Sequence, residues 1–194
     1  MSIKVSIPAD YSSISVKQYV DYHSAKNDID KLVSISNLLK EQAEQIPFQH
    51  LPTLVAAFED TLANESAKFF ETITIKDKDF GFIPDLYSIS MGEYADISTW
   101  ASDVSVNMVK IMGTLYRPID KRVGAKYTIV PHNKATREQV QHYVEQMTLE
   151  QFNGAMLFFS TLLNELSNTS LDYLENEVKK LTQELTTELT TAKD

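Results

Sequence analysis

The sequence predicts a predominantly helical α+β protein with a few short strands. Three observations lead to this fold class. Apolar residues recur at helical spacing over most of the chain, short segments at 3–7, 72–83 and 126–130 alternate like strands, and one block that resembles a helix start occurs twice. With 194 residues, 43% of them hydrophobic, the chain is long enough to bury a core.

The repeated block joins an Ile-Pro pair to a serine that is followed three residues later by a glutamine or a glutamate. The two copies contain Ser15 with Gln18 and Ser90 with Glu93. This is the spacing of a capping box, in which the serine oxygen accepts from a free backbone N–H and the longer side chain accepts from the N–H of the serine. We therefore expect one helix to begin at Ser15 and another at Ser90.

The repeat also suggests how the chain is organised. The copies lie 76 residues apart, which is consistent with internal duplication into halves 1–75 and 76–166 and equally with convergence on one capping solution. We expect a compact, mostly helical body over residues 1–166. A C-terminal amphipathic helix over residues 167–194 follows it.

Prolines and turn residues mark the boundaries of the elements. Pro47, Pro118 and Pro131 stop the elements that precede them, whereas Pro52 suits the first turn of a helix. In the first half we expect a strand at 3–7, followed by helices from Ser15 to the mid-twenties, over 27–45 and over 51–70. A hairpin over 72–83, with its turn at 77–79, should come next. It should be followed by helices from Ser90 and over 102–116, a strand at 126–130 and two further helices.

The C-terminal helix carries an apolar seam on an otherwise polar surface. Its residues recur at steps of three or four, which places them on one face. Such a seam packs either on the body of its own domain or against a second copy or another protein, and we favour contact with a partner. The candidate contact residues are Leu174, Val178, Leu181, Leu185 and Leu189.

Composition narrows the function classes. The net charge of −9 disfavours binding to nucleic-acid phosphates or to anionic membranes. The absence of cysteine excludes thiol nucleophiles, disulfides and cysteine-ligated metals. No apolar run is long enough for a signal peptide or a membrane span, so we expect a soluble protein without a cleavable export signal.

The sequence offers few candidates for catalysis. The four histidines share no metal-ligand spacing, and no phosphate-binding glycine loop or nucleophile elbow is present. Asp79-Phe80-Gly81 spells the kinase magnesium motif without the other kinase motifs, so we attribute it to chance. We therefore assign no catalytic, cofactor-binding or metal-binding residue and expect a protein that acts by binding. A small hydrolase or metal enzyme stays as an alternative.

Three blocks of the sequence run from Gly81 to Leu86, from Ile89 to Ile97 and from Met112 to Ile119. They resemble proteins encoded among the virion and tail genes of tailed bacteriophages, including crAss-like phages of Bacteroidota. The resemblance extends over most of residues 1–166 but does not include the C-terminal helix. Members of this group are mostly structural or uncharacterised proteins, and the resemblance implies a protein made in the host cytoplasm and used in, or packaged into, the virion.

The resemblance therefore implies a non-enzymatic phage structural protein of the tail or neck, or one packaged within the particle. Its partners would be other phage structural proteins or copies of itself. A tail-assembly chaperone that is absent from the mature particle is the alternative. We expect partner contacts at Tyr94, Tyr116 and Arg117, although the two tyrosines equally suit the edge of the core with a hydrogen-bonded hydroxyl.

Overall fold

The structure, a computed structural model, describes residues 3–85 and 89–161. Contacts divide the chain into two units, Met1–Ala155 and Met156–Asp194, and each is described by itself. In the second unit, residues 156–161 are helical. The predicted helix at 167–194, with its apolar seam, lies outside the described residues.

The helices and strands of the first unit confirm a mostly helical α+β fold. The helices are α1 (Val16–Ser24), α2 (Asp28–Ile35), α3 (Lys40–Ala43), α4 (Leu51–Ala63), α5 (Met91–Trp100), α6 (Val104–Leu115), α7 (Lys134–Val144) and α8, which begins at residue 149. Short 3₁₀ turns precede α4 and α6. The strands are β1 (Thr72–Ile75), β2 (Lys78–Phe82), β3 (Tyr116–Val123) and β4 (Lys126–Ile129).

Both predicted capping boxes are present. The Ser15 hydroxyl accepts from the Gln18 N–H at 3.1 Å, and Gln18 Oε1 accepts from the Ser15 N–H at 3.0 Å. Ser90 and Glu93 exchange the same two bonds at 3.2 and 2.7 Å. Helices therefore begin where local hydrogen bonding predicts that they should.

A third capping box, which was not predicted, starts α8 beside α1. Thr148 exchanges cap hydrogen bonds with Gln151, and Thr148 lies opposite Ser15 in an isolated antiparallel bridge. The residues that flank the two caps also exchange backbone bonds. The Val16 N–H donates to the Met147 carbonyl at 2.8 Å, and the Leu149 N–H donates to the Ile14 carbonyl at 2.9 Å. These bonds hold the first turns of α1 and α8 side by side.

The four strands form one antiparallel sheet in the order β1-β2-β3-β4. The β1–β2 turn has positive φ at Lys76 and Asp77, so the hairpin is confirmed with its turn one residue earlier than predicted. The rings of Phe82 and Tyr116 meet edge to face at 5.2 Å between neighbouring strands. An aromatic core therefore lies on one side of the sheet.

Helix α6 connects the sheet to the helical part of the unit, since it contacts α1, α5, α7 and β3. Its inward side chains, Met108, Ile111, Met112 and Leu115, are all buried. Helix α6 therefore packs against helices from both ends of the first unit as well as against the sheet.

The predicted strand at residues 3–7 is wrong. These residues form no strand, and the strands that the structure describes all lie within residues 72–129. The Ser6 N–H donates to the Asn37 side chain at 3.3 Å, and Ile3 and Val5 line a groove with Leu54. The alternation therefore reflects one face that lies against other residues, not pairing with a neighbouring strand.

Two helices are shorter than predicted. The helix expected over 27–45 breaks after Ile35, where the Ser36 hydroxyl donates to the Leu32 carbonyl at 2.6 Å and accepts from the Leu38 N–H at 3.3 Å. Likewise, the helix expected over 51–70 ends at Ala63. There the next residue, Asn64, donates from its side chain to a carbonyl of the last turn. In both cases a polar side chain competes for the helical backbone.

Strand β3 was not predicted. The helix before it ends at Leu115, close to the predicted stop, but residues 116–123 then continue as a strand. Pro118 fits there because its carbonyl accepts from the Val130 N–H at 3.0 Å, so the strand uses the acceptor that proline keeps.

The two copies of the repeated block agree in their capped helices and diverge around them. Each capped helix packs against the next helix, α1 against α2 and α5 against α6. Ile83 follows a strand, whereas Ile7 does not. Leu39 is exposed, whereas Leu115, its counterpart at the 76-residue offset, is fully buried. Internal duplication remains a prediction.

Candidate binding surface on helix α5

Helix α5 is held to the protein along one narrow stripe. Only Glu93 and Ile97 are buried on this helix, and Asp96 and Trp100 flank them at intermediate exposure. These positions are spaced by three and four residues, so they share one face. The opposite face of α5 is exposed.

The first contact of this stripe is a buried ion pair with the sheet. Glu93 Oε1 lies 2.6 Å from Arg117 Nη2 on β3, and the two side chains are 8% and 7% exposed. The other carboxylate oxygen of Glu93 accepts from the Ser90 N–H, so one side chain both caps α5 and joins it to β3. This double use fixes the position of the helix start relative to the sheet.

The environment of Glu93 favours its charged form. Burial raises the pKa of this carboxyl, but hydrogen bonds from Ser90 and the positive charges of Arg117 and His132 lower it, and the net pKa lies below its ordinary value. Burial also lowers the pKa of Arg117, although the charge of Glu93 opposes this effect. The pair is therefore ionised on both sides at neutral pH.

A second charged contact holds the C-terminal half of α5. Asp96 Oδ2 accepts from Arg137 Nη1 on α7, and His132 Nε2 lies 3.1 Å from the same oxygen. The Arg137 guanidinium also stacks over the Trp100 ring, 5.4 Å from its centroid. Charged and aromatic contacts therefore attach α5 in addition to the packing of the buried Ile97.

The outward face of α5 presents apolar side chains to solvent. Met91 and Tyr94, one turn apart, are 80% and 46% exposed. Gly92 lies beside them, and a Cβ atom added there would meet nothing closer than the Ser90 hydroxyl at 4.0 Å. The fold therefore does not require the missing side chain of Gly92. We call the face formed by Met91, Gly92, Tyr94, Ala95 and Ser98 the α5 surface.

The structure separates the three predicted contact residues of the body. Tyr94 lies on the α5 surface. Tyr116 is fully buried, and its hydroxyl donates to the Phe70 carbonyl at 2.5 Å, so it fits the core-edge alternative. Arg117 is buried against Glu93. Neither Tyr116 nor Arg117 is accessible to a partner in this conformation, and expecting a surface contact from them is wrong for that reason. The five candidates from Leu174 to Leu189 lie outside the described residues.

The network beneath α5 was missed because its members are far apart in the sequence. Glu93 was interpreted only as a capping residue, and His132 was considered only as a metal ligand. One local signal was available, since Glu93 and Asp96 lie on the same helical face as Ile97 and charges on a buried face need partners.

Among residues 3–85 and 89–161, no three histidine, aspartate or glutamate side chains come together as a metal site. Nor does any helix in these ranges have the length and apolar character needed to cross a bilayer. No protein-family model, curated protein or solved structure matches the chain significantly.

Proposed function

We propose that this chain is a non-enzymatic structural protein of a tailed-bacteriophage virion, a tail or neck component or a protein packaged in the particle, and that it acts through protein–protein contacts. The sequence blocks that resemble phage virion and tail proteins support the phage context. The observation that carries the binding role is the α5 surface. This apolar face is exposed to solvent, and charged contacts on the opposite face of α5 hold the helix in place.

Within the described residues of the first unit, the α5 surface differs from the other large apolar side chains that are exposed. Leu39, Phe48, Val106 and Val123 are also exposed, but they belong to different elements. Single exposed apolar residues are ordinary on protein surfaces, whereas neighbouring ones on a rigid face are typical of interaction sites. Gly92 adds to this argument. The fold has room for a side chain at this position, so the fold does not explain the glycine, whereas a partner can approach the backbone of α5 closely where no side chain is present.

The charged residues nearest to this surface support binding over chemistry. Glu93 and Arg117 neutralise each other inside the protein, and Asp96 is paired with Arg137. A catalytic acid or base needs access to a substrate, whereas these groups contact one another. Metal analysis and activity screening of the purified protein would identify the alternative small hydrolase or metal enzyme.

Mass spectrometry of purified particles tests the virion assignment. We expect peptides of this chain in stoichiometric amounts in particles of the phage that encodes it. Their presence in infected cells together with absence from particles would reject this assignment and favour the tail-assembly chaperone, for which an exposed apolar face would serve to hold a client.

Variants of the α5 surface test the contact itself. The double substitution Met91→Ser/Tyr94→Ser, and separately Gly92→Leu, should leave the melting temperature nearly unchanged and strongly reduce incorporation into particles. The matched control, Val106→Ser/Val123→Ser, removes two apolar side chains elsewhere that are also exposed, at 68% and 81%. Normal incorporation of the α5 variants would show that this face is not the contact.

A further inference from the structure

A cleft of about 590 Å³ lies on another part of the first unit, between α1, α4, α6 and α8. Its volume lies within the range of small-ligand sites. The side chains that decide its chemistry are Tyr19, Tyr22, His23, Glu59, Glu65 and Phe152. The cleft does not include the α5 surface.

The walls of the cleft are aromatic and its base is apolar. The rings of Tyr19 and His23 lie 4.4 Å apart on one face of α1, and Tyr22 meets His23 at 5.3 Å. Met108 and Phe152, both buried, contribute apolar surface. Aromatic faces carry negative potential, so they attract cations, while the apolar base suits an aliphatic chain.

Two carboxylates add negative charge to the same cleft. Glu59 Oε1 accepts from the Tyr22 hydroxyl at 2.6 Å. Burial and the neighbouring Glu59 raise the pKa of Tyr22 to about 12, and burial together with Glu65 raises the pKa of Tyr11. In the described part of the chain, no lysine or arginine forms an ion pair with either glutamate.

One lysine contacts the ring of Tyr22 from outside the cleft. Lys31 Nζ lies over the ring of Tyr22, 5.8 Å from its centroid. Lys31 is not among the residues that line the cleft. Since Lys31 lies outside the cleft and neither glutamate has an ion-pair partner among the described residues, both carboxylates and the rings of Tyr19 and His23 remain available to a cation from outside the chain.

We propose that this cleft binds the side chain of an arginine or lysine presented by a partner polypeptide. The cationic head would lie between the carboxylates and the aromatic rings, and the aliphatic stem would pack on the apolar base. The net charge of −9 would in addition draw basic partners toward the chain. The proposal does not depend on the virion assignment, because it concerns the isolated chain.

Titration of the ¹⁵N-labelled full-length chain with short peptides, followed by NMR at low salt, tests this proposal. One capped peptide has arginine at its centre and glycine elsewhere. Its control has citrulline, which keeps the shape of arginine without the charge. We expect the arginine peptide to shift the backbone resonances of cleft residues and the citrulline peptide to bind at least about fivefold more weakly.

Variants connect this binding to the two carboxylates. Glu59→Gln/Glu65→Gln should weaken binding of the arginine peptide by about tenfold. Glu41→Gln/Glu44→Gln removes the same charge from exposed positions outside the cleft and should have little effect. All four glutamates are exposed, so both double variants should fold, which circular dichroism would verify.

Tyr22→Phe separates the ring from the hydroxyl. It keeps the aromatic face and releases Glu59 from its hydrogen bond, so binding should be retained or strengthened. Three results would overturn the proposal: equal binding of the citrulline peptide, equal losses in the two double variants, or binding of free spermidine without binding of the arginine peptide.

Discussion

Glu93 and Arg117 lie on different elements, 24 positions apart, and form an ion pair of 2.6 Å inside the fold. The pair joins the first turn of α5 to the central part of the sheet. Within the described residues, Arg117 Nε is buried without a hydrogen-bond partner. Burial of the two charges costs free energy, and the attraction between them offsets that cost. The effect of the pair on stability therefore depends on keeping both members.

Removing one member of this pair should destabilise the protein strongly. Glu93→Gln keeps the capping function, as Gln18 does in α1, but leaves a buried positive charge, so we expect a loss of about 3 kcal/mol in the free energy of unfolding. The double variant Glu93→Gln/Arg117→Met should lie within about 2 kcal/mol of the original protein. Urea denaturation measures the free energy of unfolding of both variants.

Lys17→Met, which breaks an exposed ion pair with Asp21, is the control and should cost under about 0.5 kcal/mol.

The same pair predicts how stability depends on pH. Because the pKa of Glu93 in the folded protein lies below the ordinary value of 4.5, this carboxylate stabilises the fold above that value, and the contribution is lost as the pH falls through the lowered pKa. Urea denaturation between about pH 3 and about pH 7 should show this loss. The loss of stability should be smaller in Glu93→Gln. If stability depended on pH equally in that variant and in the original protein, the assignment of this effect to Glu93 would be contradicted.

The paired caps of α1 and α8 should be energetically coupled. Ser15→Ala and Thr148→Ala should each cost about 1 kcal/mol. Because the two residues form one backbone bridge, the double variant should deviate from the sum of the single losses. Chemical denaturation of the four proteins measures the coupling, and simple additivity would show that the caps act independently. Ser98→Ala, at an exposed position within α5, should not destabilise the protein.

Two glycines in helices should respond oppositely to alanine. A Cβ atom at Gly154 in α8 would lie 2.1 Å from the Lys68 carbonyl oxygen, and backbone cannot move aside as a side chain can, so Gly154→Ala should cost at least about 2 kcal/mol. Gly92→Ala meets open space and should be neutral or stabilising by up to about 1 kcal/mol. Thermal denaturation compares them, and equal effects would contradict the packing at Gly154.

The two tyrosines that the sequence treats alike should also differ. Tyr116→Phe removes a buried hydroxyl and leaves the Phe70 carbonyl without that donor, so we expect a loss of about 1–2 kcal/mol. Tyr94→Phe changes an exposed residue and should leave stability within about 0.5 kcal/mol. Denaturation curves of the two variants decide this, and a stable Tyr116→Phe variant would argue against the core role of Tyr116.

Much of the local structure could be predicted from sequence. The capping boxes at Ser15 and Ser90, the β1–β2 hairpin and the fold class follow from residues within a few positions of one another, and all are present. The strand predicted at residues 3–7 failed although its apolar and polar residues do alternate, because a strand also needs a neighbour and none of the described strands pairs with these residues.

The sequence by itself determined where the capped helices start, because a cap depends on hydrogen bonds between residues three positions apart. Only the tertiary structure decided that Arg117 lies inside the fold against Glu93, that Tyr116 belongs to the core and that Tyr94 faces solvent. Those outcomes depend on which distant elements meet and on the cost of burying a charge without a partner, and neither is expressed in local spacing.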